Sequence, residues 1–272
     1  MTAPDGAPVV CCDLDGVLWR GDEPIAGSAD AVAAFRQAGL RVGFLSNNSS
    51  LPVGEVIAKL ARVGVSASSD EVLTSALAAA ALLAESLPPG ADVLTCAGPG
   101  VIEALTGVGL HCVAVPPAAA VVVGFHREFD FDELDQASQA VRAGARFVAT
   151  NLDATYPIPG GLLPGAGSIV AAIATAAGQP PEVAGKPSAP MAELVRRRLG
   201  LHGVVIGDRP STDGAMADVL GWPFALVLSG VTGRRAGPGG EAVPSPAPPF
   251  VGDDLAALVP RLCQALASAH DA

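Results

Sequence analysis

The chain has 272 residues, half of them hydrophobic, and a formal net charge of −11. This length and composition predict a globular protein with a sizeable core and exclude a disordered chain. The negative charge argues against a nucleic-acid-binding surface, and the sequence has no run of Lys or Arg that would override it. The chain contains two lysines, Lys59 and Lys186. An acidic protein that handles an anionic substrate therefore needs a metal ion or one well-placed lysine as its positive centre.

The composition also bears on compartment. Residues 154–181 carry no charge, but Pro and Gly interrupt them, so we expect no membrane span and no membrane partner. The five cysteines show neither CxxC nor a Cys/His spacing typical of metal ligands, and we expect free thiols in a reducing compartment. No signal-peptide pattern follows Met1. We therefore expect a cytoplasmic protein.

Strand and helix signals alternate along the first part of the chain. Ser28 is a candidate N-cap for the first predicted helix, and Gly39 and Gly64 follow the two helices where they are expected to end. The predicted order is strand 9–12, helix 28–38, strand 41–45 and helix 53–63. Such alternation with short connections is typical of a parallel sheet, in which ligands bind at the carboxyl ends of the strands.

A second alternating region begins near residue 91, and the first pattern resumes after "GQPPEVAGKPS". The predicted elements of the second region are strands 93–96, 121–124 and 147–150 and helices 101–106, 132–143 and 168–177. The resumed pattern has helix 191–199, strand 203–206, strand 224–228 and helix 255–267. The Pro- and Gly-rich residues 237–249 are expected to form a surface excursion. This order predicts a core domain, 1–78 and 182–272, into which a second α/β domain, 79–181, is inserted.

Four polar motifs each follow an apolar run assigned to the core. Taken singly they have ordinary explanations, such as a tight turn, a polar N-cap cluster or a solvated loop lysine. They are Asp13/Asp15, Ser46/Asn47, Lys186 and Asp208/Asp213. Because the carboxyl ends of parallel strands share one edge of a sheet, we expect the four motifs to converge. The close carboxylates would repel one another unless a positive group lay between them.

These residue types suit phosphoryl chemistry. Asp13, Asp15 and Asp208 offer the hard oxygen ligands that Mg²⁺ prefers. One carboxylate can attack phosphorus, and a second can protonate the leaving oxygen. Ser46 and the backbone N–H groups that follow it suit phosphate oxygens, and Lys186 adds a fixed positive charge.

The motifs "DLDGVLWRGDEPIAGS", "FLSNNSS", "NLDATYP", "GKPS" and "GDRPSTD" resemble those of the haloacid dehalogenase superfamily phosphatases, specifically the NagD-like class. The resemblance extends over about residues 9–232. It implies a doubly wound, Rossmann-like parallel-sheet core with a large inserted α/β cap domain. It also implies an Mg²⁺-dependent phosphatase that works through an aspartyl-phosphate intermediate and allows a homodimer formed through the cap.

The resemblance implies a role for each motif residue. Asp13 is implied to be the nucleophile and a metal ligand. Asp15 is implied to be the general acid/base and to bind the metal through its backbone carbonyl. Asp208 completes the metal site, and Asp213 orients a metal-bound water. The phosphoryl group would be held by Ser46, Asn47, Asn48 and Lys186, and Lys186 would bridge it to the nucleophile.

The expected substrate is a small phosphomonoester, with glycerol 3-phosphate favoured. Phosphoglycolate, pyridoxal phosphate and nucleotide monophosphates are the alternative substrates. A phosphomutase is disfavoured, because the inserted domain does not resemble the helical cap usual in those enzymes. A non-catalytic phosphate-ligand sensor is less favoured, because all four motifs are present. The "NLDATYP" segment resembles the cap loop that selects substrates in this class. Tyr156 stands where a pyridoxal-phosphate-specific relative has a histidine, which weakens the pyridoxal assignment. We include Tyr156 among the expected substrate-binding residues.

Overall fold

The computed structural model describes residues 6–158, 161–233 and 240–270, with the side chains of 157–158, 161–162 and 268–270 left aside. The chain divides into two compact units. The first unit comprises Met1–Ser46, Ile57–Leu73 and Val195–Ala272, and the second comprises Asn47–Val56 and Thr74–Leu194. Part of the expected surface excursion, residues 237–239, and residues 159–160 of the predicted cap loop lie outside the described residues.

The strands are numbered in chain order. They are β1 (Val9–Asp13), β2 (Trp19–Arg20), β3 (Glu23–Pro24), β4 (Arg41–Ser46), β5 (Val72–Thr74), β6 (Asp92–Cys96), β7 (His111–Val113), β8 (Ala120–Val123), β9 (Arg146–Ala149), β10 (Thr155–Ile158), β11 (Gly161–Pro164), β12 (Glu182–Val183), β13 (Gly203–Gly207), β14 (Phe224–Val227), β15 (Thr232–Gly233), β16 (Glu241–Ala242) and β17 (Phe250–Gly252).

The helices are numbered in the same way. They are α1 (Ser28–Gln37), α2 (Val53–Arg62), α3 (Ser75–Ala84), α4 (Pro99–Gly107), α5 (Phe131–Arg142), α6 (Ala166–Ala177), α7 (Ala189–Arg198), α8 (Ala215–Leu220) and α9 (Leu255–His270). A 3₁₀ turn covers Ser69–Glu71, and a π-helical turn covers Pro210–Gly214.

A six-stranded sheet in the order β17–β14–β13–β1–β4–β5 forms the centre of the first unit. β1 runs parallel to both of its neighbours, with Asp13 opposite Leu45 of β4 and Cys12 opposite Ile206 of β13. The four residues before Asp13 are buried because the strand lies between two covered faces. The carboxyl ends of β1, β4 and β13 therefore lie side by side, as a doubly wound α/β fold requires.

A five-stranded parallel sheet in the order β12–β9–β8–β6–β7 forms the centre of the second unit. All four residues of β8 are fully buried, and α5 and α6 pack against that strand and against each other. Ala137 and Val141 of α5 and Ile173 of α6 join the apolar cluster on this face of the sheet. The doubly wound class with a second α/β region, expected from the sequence, is confirmed.

Two local expectations are wrong. Ser28 does not cap α1: Gly27 is the N-cap, in a left-handed conformation, and the Ser28 hydroxyl donates to the carbonyl oxygen of Leu18 instead. Lys186 does not follow a strand of the first sheet. It comes after β12, the outer strand of the second sheet, which pairs with β9.

The cysteines and the helices bear on disulfides and on membrane spans. Cys11, Cys12, Cys96, Cys112 and Cys263 are not paired in disulfides. Within the described part of the chain, none of the helices combines the length and the apolar character that a membrane crossing would demand.

Candidate active site

Three carboxylates meet at the carboxyl ends of β1 and β13, in the middle of the first unit's sheet. Asp13 is the last residue of β1, Asp208 follows the end of β13, and Asp213 lies in the π-helical turn after β13. Each offers one oxygen, and the three oxygens lie within 4.8 Å of one another. Asp208 and Asp213 are 4% and 1% exposed. Carboxylates packed this closely favour a bound cation, and an all-oxygen donor set fits Mg²⁺.

The backbone around Asp208 is shaped to its side chain. The N–H of Val231 donates to Asp208 Oδ2, and the N–H of Thr232 donates to the Asp208 carbonyl oxygen at 3.2 Å. Gly16 lies three residues after β1, close to Asp208, and has φ +81°. A Cβ atom at this position would overlap the Asp208 carboxylate. Glycine at position 16 therefore serves both the left-handed turn and the close approach.

Asp213 is fixed in a similar way. Its Oδ2 accepts a hydrogen bond from the N–H of Arg209 at 3.1 Å, which closes the turn that carries it. A Cβ atom at Gly207 would overlap the Asp213 carboxyl group. The last residue of β13 must therefore be glycine for Asp213 to reach this position.

Asp15 lies just beyond β1, and its side chain is held by a neighbouring ring. Asp15 Oδ1 accepts a hydrogen bond from Trp19 Nε1 at 2.9 Å. The Lys59 ammonium lies 4.5 Å from the centre of the Trp19 ring and donates to the Gly21 carbonyl oxygen at 2.7 Å. The buried indole thus fixes one oxygen of Asp15 and leaves the carboxyl group in a defined orientation.

Asn47 and Lys186 are joined in the second unit. The Asn47 amide donates from Nδ2 to the Lys186 carbonyl oxygen at 3.2 Å, and its Oδ1 accepts from the Lys186 N–H at 2.8 Å. The same Nδ2 lies 3.2 Å from Asp153 Oδ2. The Asn47 carbonyl oxygen accepts from Ser75 Oγ and Asn151 Nδ2, both at 2.7 Å. The Asn47 side chain is thereby engaged in positioning the backbone of Lys186.

The other residues of the "SNNSS" motif have separate settings. Ser46 is the last residue of β4 and is 3% exposed. Asn48 Oδ1 accepts from the N–H of Ser50 at 3.0 Å and from its hydroxyl at 2.7 Å, which forms a local turn. Lys186 is 4% exposed, so its charge is largely removed from solvent.

Tyr156 lies on a small antiparallel hairpin of the second unit. It belongs to β10, opposite Leu163 of β11. Its ring stacks on Phe125, with centroids 5.9 Å apart and an interplanar angle of 21°. The hairpin begins just after Asn151 and Asp153, where the Asp153 N–H donates to Asn151 Oδ1 at 3.0 Å. The loop and hairpin are therefore tied to the segment that carries Asn47.

Trp19 and Lys59 were not singled out as site residues from the sequence. A tryptophan four residues after the second acid of a DxD motif gives no signal of its own, because its contact depends on the tight turn at Gly16. In that turn the Gly16 N–H donates to the Trp19 carbonyl oxygen at 2.7 Å. The scarcity of lysine in the chain was the one available pointer to Lys59.

The chain matches known protein families and curated relatives. The haloacid dehalogenase-like hydrolase family matches residues 10–111, and a HAD-hydrolase-like family matches residues 183–258. D-glycerol 3-phosphate phosphatase from Mycobacterium tuberculosis is 40% identical over 249 residues, which are 90% of this chain and 69% of that protein.

Solved structures are similar over nearly the whole chain. Glycerol phosphate phosphatase from Mycobacterium tuberculosis in complex with magnesium matches with a TM-score of 0.82 and 36% identity, over 95% of this chain and 79% of that one. p-Nitrophenyl phosphatase from Archaeoglobus fulgidus matches with a TM-score of 0.85 and 30% identity, over 95% of this chain and all of that one. The chain therefore belongs to the haloacid dehalogenase-like hydrolases and is a phosphomonoester hydrolase of their NagD-like class.

Proposed function

We propose that this protein is an Mg²⁺-dependent phosphatase of small phosphomonoesters, with glycerol 3-phosphate as the favoured substrate. The observation that carries the proposal is the cluster of Asp13, Asp208 and Asp213, three carboxylates at one sheet edge with two of them buried. Mg²⁺ is the cofactor, as a similar phosphatase crystallised with magnesium supports. When bound, the ion supplies positive charge that draws a phosphate ester to an otherwise acidic protein.

Asp13 and Asp15 have separate roles in the proposed reaction. A carboxylate oxygen of Asp13 attacks phosphorus and forms an aspartyl-phosphate while the bond to the ester oxygen breaks. Asp15, oriented by Trp19, gives its proton to the departing oxygen. In the second half-reaction Asp15 takes a proton from the water that attacks phosphorus. The bond between phosphorus and the Asp13 oxygen breaks, which releases inorganic phosphate and restores the Asp13 carboxylate and the protonated Asp15.

Lys186 and the residues after β4 serve the phosphoryl oxygens in this proposal. Lys186 supplies a fixed charge where negative charge accumulates in the transition state. Ser46 contributes its hydroxyl, and Asn47 and Asn48 contribute backbone N–H groups, since their side chains are used within the protein. The Asn47 side chain also positions Lys186, because its amide forms hydrogen bonds with the backbone N–H and the carbonyl oxygen of Lys186.

The substrate assignment rests on the relatives and on the hairpin. The Mycobacterium tuberculosis phosphatase is named for D-glycerol 3-phosphate. Tyr156, stacked on Phe125, offers a hydroxyl that suits a small polyol better than a planar cofactor ring. Phosphoglycolate remains the second candidate, because it is equally small and differs mainly in its carboxylate.

Phosphate release from a panel of esters tests the proposal. The panel contains glycerol 3-phosphate, phosphoglycolate, pyridoxal phosphate, a nucleoside monophosphate and an aryl phosphate, compared by kcat/KM with Mg²⁺ and with excess chelator. We expect turnover that depends on Mg²⁺ and is greatest for glycerol 3-phosphate. Full turnover in chelator would contradict the metal dependence, and no turnover of any ester would favour a phosphate-ligand sensor.

The remaining expectations stay predictions. They are the division into a core, 1–78 and 182–272, and a cap, 79–181, the homodimer through that cap, and the cytoplasmic location. Formation of an isomeric ester in place of inorganic phosphate would identify a phosphomutase and would contradict the proposal.

A further inference from the structure

Three potential metal ligands meet in the second unit, apart from the aspartate cluster of the first. Cys96 is the last residue of β6, His126 follows β8 by three residues, and Glu133 lies in the first turn of α5. β6 and β8 are neighbours in the sheet, and Cys96 is opposite Val123. One donor atom from each of the three side chains lies within 4.8 Å of the other two.

The imidazole of His126 is held in the orientation of a metal ligand. Its Nδ1 lies 3.3 Å from the carbonyl oxygen of Gly124, and its Nε2 lies 2.7 Å from Glu133 Oε2. A carbonyl oxygen can only accept, so Nδ1 carries a proton and Nε2 faces Glu133. Histidines that bind metals usually donate their other ring N–H to a carbonyl or carboxylate in this way.

Burial and charge at the three side chains also favour a cation. Cys96 is fully buried, and the side chains of His126 and Glu133 are 6% and 36% exposed. Burial raises the pKa of the Cys96 thiol well above its usual value, and the negative charges of Glu133 and Asp130 raise it further. The same charges attract a divalent ion, which would stabilise the thiolate that they otherwise oppose.

Apolar side chains pack near two of the three ligands, His126 and Cys96. The ring of Phe129 meets the His126 ring edge-on, with centroids 6.0 Å apart, and Phe129 packs against the buried apolar cluster that includes Cys96. The Glu133 side chain is 36% exposed, so an ion can reach the three ligands from its side.

We propose that Cys96, His126 and Glu133 form a Zn²⁺ site in the second unit, with a fourth position open to water or a small anion. A thiolate and an imidazole select Zn²⁺ over Mg²⁺, which prefers six oxygen ligands. The site therefore differs in chemistry from the aspartate cluster, and it goes beyond the proposed phosphatase reaction.

Binding requires a small adjustment and the release of protons. Two ligand atoms of one tetrahedral ion lie about 3.3 Å apart when each bond is about 2.0 Å. Glu133 must therefore withdraw from the Nε2 atom, which its partial exposure permits. The thiol proton and the proton shared between Nε2 and Glu133 pass to solvent as the ion takes their place.

Cobalt titration of the reduced, chelator-treated protein in excess Mg²⁺ tests the site. A thiolate bound to Co²⁺ gives a charge-transfer band in the near ultraviolet, which ions at an all-oxygen site do not give. We expect the band to saturate at one equivalent of Co²⁺ and to disappear when Zn²⁺ displaces it. Absence of the band in the wild-type protein would overturn the proposal.

Variants assign the band to its residues. Cys96→Ser should abolish it, and His126→Gln and Glu133→Gln should weaken the affinity for Co²⁺ and Zn²⁺ by at least about tenfold. Cys112→Ser, at a half-buried thiol of β7 in the same unit, is the matched control and should change neither. Thermal unfolding and phosphate release in Mg²⁺ report whether each variant is folded. A charge-transfer band that survives in folded Cys96→Ser would refute the site. Unchanged metal affinity in folded His126→Gln and Glu133→Gln would refute it as well. If Cys96→Ser fails to fold, the affinities of these two variants provide the test.

Discussion

Lys186 combines a rare residue type with a buried position. It is one of two lysines in the chain, it is 4% exposed, and the Asn47 amide binds both its N–H and its carbonyl oxygen. An ammonium group is costly to bury and is retained where it meets negative charge. The transferring phosphoryl group supplies that charge in the proposed reaction.

Lys186→Met should lower kcat by about 10²- to 10³-fold, the usual effect of removing one preorganised group that stabilises the transition state. Lys186→Arg should recover part of this loss, because a planar guanidinium does not replace a compact ammonium. Steady-state phosphate release measures both variants. Arg62→Met, at an exposed cation of α2, controls for the loss of one charge. A Met variant as active as this control would show that Lys186 has no part in the chemistry.

At the residue scale, the sequence was informative about acids and less so about what positions them. Asp13 and Asp208 were recognised as acids that follow apolar runs, and Asp213 as the last residue of the "GDRPSTD" motif. The structure brings these three together. The partner of Asp15 was not predicted, since Trp19 reaches it only through the turn at Gly16. The use of the Asn47 amide on Lys186 links residues far apart in the chain, which spacing cannot reveal.

At the element scale, the junction of β13 and the π-helical turn sets the position of Asp213. Gly207→Ala should lower the free energy of unfolding by roughly 1–3 kcal/mol, because the added methyl group overlaps the buried Asp213 carboxyl. Turnover should fall as well, since Asp213 must move. Urea unfolding monitored by circular dichroism gives the first quantity and phosphate release the second.

Gly54→Ala is the matched control for this substitution. Gly54 lies in α2 with no atom within 4 Å of an added Cβ, so alanine should be neutral or slightly stabilising there. Equal effects of the two substitutions would mean that the fit between Gly207 and Asp213 does not matter.

The β10–β11 hairpin is the element that we expect to select substrates. Tyr156→Ala should change the ratio of kcat/KM for glycerol 3-phosphate and phosphoglycolate by about tenfold, the scale of losing one contact in a binding pocket. Turnover of an aryl phosphate should stay close to that of the wild type, because the reacting groups lie elsewhere. A uniform loss for all three esters would identify Tyr156 as a packing residue of the Phe125 stack.

The elements with clear periodicity were predicted from the sequence, and those without it were missed. β1, β4, β6, β8 and β13 match apolar runs to within two residues at each end. α3, "SALAAAALLA", was missed because most of its residues are buried, so it lacks an amphipathic pattern. The hairpin was missed because Pro and Gly interrupt its alternation.

For the whole molecule, the net charge of −11 and the buried carboxylates make bound cations a source of stability. Mg²⁺ at a hundred times its dissociation constant should add about 2.7 kcal/mol to the free energy of unfolding. Differential scanning calorimetry should show Tm rising by several degrees with Mg²⁺, and KCl at equal ionic strength should not reproduce the rise. Asp208→Asn should remove most of the Mg²⁺ effect; an undiminished shift in this variant would place the ion elsewhere.

The sequence predicted two alternating α/β regions in one chain, and the structure has two parallel sheets. The bounds of the two α/β regions are harder to predict, because tertiary contacts decide which region each segment of the chain belongs to. Asn47–Val56 groups with the second unit, in which the Asn47 carbonyl oxygen is bound by Ser75 and Asn151. Such contacts join residues that are distant in sequence and leave no local pattern.

The proposed reaction depends on the attack of Asp13 on phosphorus. The most direct measurement is phosphate release from glycerol 3-phosphate and from an aryl phosphate by Asp13→Asn in saturating Mg²⁺, with Tm confirming the fold. We predict no detectable turnover of either ester, because an amide does not form the aspartyl-phosphate, while inorganic phosphate still binds. Turnover within about tenfold of the wild type would show that Asp13 is not the nucleophile.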